Sequence, residues 1–323
     1  MLDPAAEHAH KRNNVLQTVI LLAGIGSLLA LSAGLLFGWY GIYAAAAAVL
    51  FLLLCSVRVP PGMMMRMYKA RPAEKVGGKQ LVQITRELAK RAELAHVPAV
   101  YIIPSMTLNA FAAGCKSNAA IGVTEGMLRK LSMRELAGVL AHEISHIKHN
   151  DLLVMSFADL MSRLTQILSY AAVVLAAMNV TALIMNGEAA YGWVGIIILY
   201  LAPGITNLMQ LGLSRVREYD ADLSGARLTG DPQGLAQALS KVERYTGRFW
   251  EDLMMPVPGR RVPQPSLLRS HPATEDRISR LQQLKQTDQT RPVIVVIDEP
   301  MISMVGLGPI SMRPRYRFPG IWY

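Results

Sequence analysis

The sequence predicts a mostly α-helical integral membrane protein with four transmembrane helices, paired in two hairpins, and a cytoplasmic α+β domain that carries a small sheet. Three observations predict this class. The chain of 323 residues is 52% hydrophobic and only 17% charged, which excludes a disordered chain and is unusual for a soluble one. The apolar residues concentrate in two stretches that are almost free of charge, and Lys and Arg flank those stretches. The polar remainder shows helical and strand periodicity.

The first apolar stretch runs from Asn13 to Val57 and contains no Asp, Glu, Lys or Arg. It is long enough for two helices of about 20 residues, the length that crosses a bilayer. Residues 38–41, Gly-Trp-Tyr-Gly, predict the turn between them, because glycine permits a reversal and aromatic side chains favour the membrane–water interface. A cleaved signal peptide is the alternative, but the apolar run is too long and continues directly into a second span.

The second apolar stretch runs from Leu164 to Ser214, with Glu188 as its only charge. Its turn is predicted at residues 186–188, Asn-Gly-Glu, so that it forms a second pair of spans. Pro203 and the polar Asn207 make the last span the weakest of the four. The alternative for this pair is a buried helical hairpin inside the polar domain.

Basic residues near the ends of the spans predict the orientation in the membrane. They lie outside both hairpins and at neither tip: Lys11, Arg12, Arg58, Arg66, Lys69, Arg71, Lys75, Arg163, Arg215 and Arg217. By the positive-inside rule, both termini and the polar part face the cytoplasm. The net charge of +10 therefore reflects topology and attraction to anionic lipid rather than nucleic-acid binding, for which the sequence contains no motif.

The polar part divides into residues 58–163, residues 215–285 and a C-terminal extension over 286–323. In the first segment we predict an amphipathic helix over 79–94, then three short strands at 99–103, 110–112 and 119–123. Ser132 and Glu135 form a capping box, which predicts a helix from Met133 with no breaker before Asp151. The later elements are helices over 215–228, 235–245 and 274–284, a proline-rich loop over 256–265 and a strand over 293–297.

The chemistry is predicted on the capped helix, where residues 142–146 read His-Glu-Ile-Ser-His. A helix places His142 and His146 one turn apart on one face, where two imidazoles can bind one Zn²⁺. Glu143 can reach the attacking water without being a ligand, and can serve as the general base. The alternative is a pair of helix histidines satisfied by hydrogen bonds beside a surface glutamate, since a five-residue match also arises by chance.

A catalytic zinc site needs a third protein ligand, and a later acidic helix offers one. Glu218 and Asp222 are four residues apart and share a helix face. Glu218 can complete a His₂Glu set, and Asp222 can hydrogen-bond a ligand imidazole and hold its tautomer. The alternative for this pair is a solvated acidic face.

Four motifs in this order resemble the HtpX family of membrane zinc endopeptidases, which are gluzincins and relatives of the CAAX prenyl endopeptidases. The motifs are Asn109-Ala110-Phe111-Ala112, His142-Glu143-Ile144-Ser145-His146, Arg217-Glu218-Tyr219-Asp220-Ala221-Asp222 and His271-Pro272. The resemblance covers roughly residues 10–285, including the order of spans and motifs. It leaves the C-terminal extension without a counterpart.

The resemblance implies a zincin-like catalytic domain with one Zn²⁺ per chain, held by His142, His146 and Glu218, with Glu143 as the general base. It also implies that Asp222 orients a ligand and that Asn109, Ala110, Phe111 and Ala112 form an edge strand along the cleft, where an extended substrate can pair. A plain structural strand is the alternative. His271 matches a histidine that stabilises the oxyanion in such families, with a structural or capping role as the alternative. His149, one turn past His146, is expected beside the ligands or in solvent.

The function implied by the resemblance is hydrolysis of peptide bonds in misfolded or damaged membrane proteins, on the cytoplasmic side of a bacterial-type inner membrane. Polypeptide substrates and the lipid bilayer are the expected partners, with a homo-oligomer or a regulatory membrane partner left open and no nucleic acid. One alternative is a prenyl-protein peptidase, which four spans disfavour because a large intramembrane chamber needs more. The other is a non-catalytic membrane adaptor or assembly factor, which the intact ligand set disfavours.

Overall fold

The computed structural model describes residues 4–56, 60–254, 274–283, 316–317 and 321–322. The chain divides into two compact units. We call them the apolar unit, which is His8–Arg58 with Leu153–Val216, and the sheet unit, which is Met1–Glu7, Val59–Leu152 and Arg217–Tyr323. The sheet unit is thus assembled from chain segments that precede and follow the second apolar stretch.

The described secondary structure is mostly helical. In chain order the elements are α1 (Pro4–Ser56), α2 (Pro61–Met67), β1 (Arg71–Pro72), a 3₁₀ helix (Ala73–Val76), α3 (Lys79–Arg91), β2 (Ala99–Ile103), β3 (Ala110–Cys115), β4 (Asn118–Thr124), α4 (Glu125–Lys130), α5 (Met133–His149), α6 (Asp151–Asn186), α7 (Trp193–Thr229), α8 (Pro232–Met254), α9 (Thr274–Gln283), β5 (Tyr316–Arg317) and β6 (Ile321–Trp322).

Among the described residues, three helices are long and apolar enough to cross a membrane: α1, α6 and α7. Large hydrophobic side chains on them are exposed, such as Phe51 at 65% and Ile184 at 80%. Such apolar surface is stable against lipid and unfavourable in water. The helix α7 continues through Pro203, as a membrane helix can, and the Thr206 hydroxyl donates to the Pro203 carbonyl.

The first of these helices is interrupted where the sequence predicts a turn. Gly38 has φ 61° and ψ −148°, so the helical conformation is broken there. A Cβ added at Gly41 would lie 2.3 Å from the Ala33 carbonyl oxygen, whereas residues eight apart in a straight helix are separated by about 12 Å. The chain therefore doubles back at Gly38, and only glycine at position 41 allows the two arms to approach so closely.

The sheet unit contains a small mixed sheet of four strands in the order β1-β2-β4-β3. The strands β2 and β4 are parallel, β3 is antiparallel to β4, and β1 is antiparallel to β2. The three predicted strands are therefore present, and β3, which carries Ala110–Ala112, is an edge strand as predicted. The two-residue β1 was not predicted, because Arg71 and Pro72 give no hydrophobic alternation.

The helix that carries His142 and His146 is α5, which lies in the core of the sheet unit. Its start is the predicted capping box between Ser132 and Glu135. Four side chains at helical spacing form its inner face and are almost completely buried: Leu136, Leu140, Ile144 and Ile147. The helix ends at His149 because Asn150 is left-handed, with φ 57°, and α6 starts afresh at Asp151. His142 and His146 lie on the opposite face of α5. The packing of the inner face therefore determines the direction in which these histidines point.

Several predicted features lie outside the described residues. These are His271, the proline-rich loop over 256–265 and the strand over 293–297. In the C-terminal extension the structure describes β5 and β6, which pair antiparallel.

Candidate metal centre

The helix α5 and the part of α7 that follows Val216 bring the three predicted metal ligands together in the sheet unit. His142 and His146 lie on α5, and Glu218 lies on α7. One potential ligand atom from each residue lies within 4.8 Å of the others. The close approach of the helices depends on Gly225, where an added Cβ would be 3.1 Å from the backbone nitrogen of His142. A larger residue at this position would push α7, and Glu218 with it, away from the histidines.

The distances between the ligand atoms fit a tetrahedral metal site. The Nε2 atoms of His142 and His146 are 3.1 Å apart. Oxygens of Glu218 lie 3.4 Å from Nε2 of His142 and 4.0 Å from Nε2 of His146. Zinc bonds of 2.0–2.1 Å at tetrahedral angles separate the ligand atoms by about 3.3 Å. Two imidazoles and a carboxylate are also the donor types that zinc takes in catalytic sites, so the residues fit this ion.

A buried carboxylate faces the other ring nitrogen of each histidine. Asp222, on the same face of α7 as Glu218, has Oδ1 3.0 Å from Nδ1 of His142. Asp151, the first residue of α6, has Oδ2 2.8 Å from Nδ1 of His146. A carboxylate in this position fixes the orientation and the tautomer of a metal-binding imidazole. Asp222 was predicted for this place, whereas Asp151 was not.

Each of these carboxylates accepts hydrogen bonds from an arginine. Arg277 on α9 donates two hydrogen bonds of 2.7 Å to Asp222 and lies 3.0 Å from Glu218. Arg217 on α7 donates to Oδ1 of Asp151 at 3.1 Å. The role of Arg277 could not be predicted from the sequence, because its partners are more than fifty residues away in the chain.

The carboxylates determine the electrostatics of the site in the metal-free protein. Burial lowers the pKa of His142, but the carboxylates of Asp222 and Glu218 outweigh it and raise this pKa to about 10. Their field therefore stabilises a positive charge beside His142, which is the condition that a cation needs to bind there.

Glu143 is next to a metal ligand in the chain, but its carboxylate contacts the strand β3. Burial raises the pKa of its carboxyl, and the nearby His146 and His142 oppose this shift. The backbone N–H of Ala112 in β3 donates to its carboxylate. The predicted base and the predicted substrate-binding strand are therefore in direct contact.

The edge strand presents part of its backbone away from the sheet. Asn109 and Thr124 form a hydrogen-bonded pair, with the Thr124 N–H donating to the Asn109 carbonyl at 3.0 Å. Because such pairs alternate along an antiparallel ladder, the backbone groups of Ala110 and Ala112 face the open edge. The centre of the Phe111 ring lies 5.0 Å from that of the Tyr68 ring, and Phe111 packs against a small hydrophobic cluster.

Of the two remaining predicted histidines, the structure describes His149. Among the described residues, the group able to hold a metal ion is His142, His146 and Glu218. His149 is the last residue of α5 and is not a member of the group. His271 lies outside the described residues.

Comparison with known proteins gives consistent results. Residues 77–285 match the model of peptidase family M48. The chain is 35% identical over 287 residues to the protease HtpX homolog of Burkholderia thailandensis, covering 85% of this chain and 98% of that protein. It is 35% identical over 281 residues to the protease HtpX homolog of Methylibium petroleiphilum, covering 83% and 96%. The crystal structure of S. mikatae Ste24p has a TM-score of 0.50 at 18% identity, covering 84% of this chain and 66% of that one. At that identity the likeness concerns the fold alone.

Proposed function

The chain belongs to peptidase family M48 and is a membrane metalloprotease similar to the HtpX proteases, and we propose that it binds one Zn²⁺ through His142, His146 and Glu218. The observation that carries this proposal is the convergence of three ligand atoms from α5 and α7 within 4.8 Å. A non-catalytic adaptor would not require the ligands and Glu143 to be intact together, so the enzyme is the better interpretation.

In peptide-bond hydrolysis the side chains of this site have separate roles. A zinc ion would supply the Lewis acidity that polarises the scissile carbonyl and acidifies water. Glu143 accepts the proton of the attacking water and passes it to the nitrogen of the leaving amine. Its raised pKa suits both steps, because a carboxylate with a pKa nearer neutrality exchanges protons more readily. Asp222 orients His142. His271 is proposed to stabilise the oxyanion, on the basis of the motif alone.

The substrate is proposed to bind as an added strand along β3. Ala110 offers its N–H and C=O, and Ala112 its C=O, at the open edge, and an extended polypeptide can pair with these groups regardless of its sequence. Such a mode of binding requires an unfolded segment, which misfolded or damaged membrane proteins expose. The contact between the Ala112 N–H and Glu143 would bring the scissile bond close to the base.

We further propose four spans, with the sheet unit on the cytoplasmic side of an inner membrane. The reversal at Gly38 divides α1 into two arms, and the shorter one, residues 39–56, is about 27 Å long, close to the roughly 30 Å of a hydrocarbon core. The Lys and Arg residues outside the hairpins support a cytoplasmic location. A cysteine introduced at Gly187 should react with a membrane-impermeant reagent added outside the cell, and labelling only after lysis would contradict the four-span topology.

A prenyl-protein peptidase is the weaker alternative. The identity to HtpX homologues is 35% over almost their whole length, whereas the likeness to Ste24p at 18% identity carries no substrate information.

The test compares three proteins purified in detergent for zinc content and cleavage of casein. The wild type should carry one zinc and cleave. Glu143→Gln should keep the zinc and lose at least about 100-fold in rate, since general-base catalysis contributes that much. Glu218→Ala should lose the zinc. Wild-type cleavage by Glu143→Gln, or stoichiometric zinc in Glu218→Ala, would show that these roles are misassigned.

A further inference from the structure

Asp151 lies where the chain leaves the sheet unit, directly after the left-handed Asn150. The turn at Asn150 directs the Asp151 carboxylate back to α5, where Oδ2 is 2.8 Å from Nδ1 of His146. Asp151 is only 2% exposed, so water contributes little to satisfying its charge. A buried carboxylate needs hydrogen-bond donors or a positive charge close to it.

The second partner comes from the point where the chain returns to the sheet unit. Arg217 follows directly on Leu153–Val216, and it donates to Oδ1 of Asp151 at 3.1 Å. Arg217 is itself buried, at 9% exposure. One carboxylate thus accepts from a guanidinium through one oxygen and faces an imidazole through the other.

We propose that Asp151 is a positioning residue for the metal centre, which keeps the proton of His146 on Nδ1 and so leaves the lone pair of Nε2 for zinc. Arg217 fixes Asp151 in this orientation. The arrangement repeats that of His142, Asp222 and Arg277, so each histidine has its own carboxylate and each carboxylate its own guanidinium. This inference rests on the proposed zinc site.

The proposed arrangement requires both partners of Asp151, Arg217 and His146, to donate a hydrogen bond to it. A carboxylate accepts from both, but an amide can accept on one side only. In Asp151→Asn the amide oxygen would face the cationic Arg217, since the charge-assisted hydrogen bond is the stronger one. The amide NH₂ would then face Nδ1 of His146, which would have to accept. The proton would move to Nε2 and block that nitrogen as a ligand.

The experiment measures zinc affinity by competition with a chromogenic chelator, using the metal-free chain in detergent. Asp151→Asn should bind zinc about 10–100-fold more weakly than the wild type, the usual effect of losing a carboxylate behind a ligand imidazole. Asp151→Asn combined with Arg217→Met should bind more tightly than Asp151→Asn alone, because the amide oxygen can then turn to His146. Asp159→Asn is the matched control, since Asp159 lies on the same helix in an exposed ion pair with Arg163, and it should bind as the wild type does.

The outcomes separate this inference from the proposed function. An affinity of Asp151→Asn within about twofold of the wild type would overturn the positioning role, since a loss of at least tenfold is expected. A double variant no tighter than Asp151→Asn would overturn the tautomer argument, because a merely structural loss at position 151 would not be relieved by a second buried substitution. If the wild type fails to bind zinc, or Glu218→Ala binds it as tightly, then the proposed metal site itself is wrong.

Discussion

Replacing Arg277 by methionine should destabilise the metal-free sheet unit strongly. Its guanidinium makes two hydrogen bonds of 2.7 Å to Asp222 and lies 3.0 Å from Glu218, and the side chain is only 7% exposed. Methionine keeps most of the apolar packing but leaves two buried carboxylates without this charge. Removing one partner of a buried ion pair costs about 3–5 kcal/mol. At about 2–4 °C per kcal/mol, the thermal midpoint should fall by roughly 6–20 °C.

The assay follows intrinsic tryptophan fluorescence during heating in detergent with a chelator present. The matched control is Arg280→Met on the same helix, because Arg280 is exposed and its guanidinium lies 3.9 Å from the centre of the Tyr219 ring. An exposed cation–π contact contributes about 0.5–1 kcal/mol, so this control should lose only a few degrees. If Arg277→Met loses no more than Arg280→Met, then Arg277 does not compensate the buried carboxylates.

Two further predictions concern the helices that frame the site. Gly225→Val should weaken zinc binding and destabilise the protein by about 1–3 kcal/mol, because its Cβ would lie 3.1 Å from His142. Gly204→Val, on the same helix with no heavy atom within 4 Å, is the control, and equal zinc affinities would refute the close-approach argument. Asp231→Asn should lower stability at pH 7 by up to about 1 kcal/mol. Although burial raises the pKa of Asp231, its hydrogen bond with Arg134 holds that pKa below its ordinary value. The ion pair therefore stabilises the fold above the unfolded pKa of about 3.9 and is lost as the pH falls below it. The difference between wild type and Asp231→Asn in denaturant titrations should shrink at pH 3, and a constant difference would contradict this reasoning.

Local patterns explain why so much of the site could be predicted from the sequence. Ser132 and Glu135 mark the start of α5 because a capping box is a contact within one helical turn. His142 and His146 share a face for the same geometric reason, as do Glu218 and Asp222. The reversal at Gly38 was predicted from a glycine-flanked aromatic pair inside an uncharged run. In each case the residues that interact are neighbours in the chain.

The features that were missed depend on contacts between distant residues. Arg277 meets Asp222 from a helix more than fifty residues later, and Arg217 meets Asp151 from 66 residues away. Arg217 opens the third motif, but nothing in the local periodicity indicates which carboxylate either arginine meets. The role of Asp151 is hidden for a different reason, because the sequence contains no breaker before it and the left-handed turn at Asn150 is visible only in three dimensions.

The balance of charge around the histidines gives the metal site a physical basis beyond the motif. Four carboxylates surround the two imidazoles: Glu143, Asp151, Glu218 and Asp222. Arg217 pairs with Asp151, and Arg277 pairs with Asp222 and Glu218. With neutral imidazoles this arrangement lacks two positive charges, which is the charge of one divalent cation. In the metal-free protein a proton on His142 replaces only one of them, as its pKa of about 10 indicates. A zinc ion bound to His142 would displace that proton and supply both charges, so binding should release a proton. Calorimetric titrations of zinc in buffers of different ionisation enthalpy should therefore give different apparent enthalpies at pH 7, and identical values would show that His142 is already neutral before the metal binds.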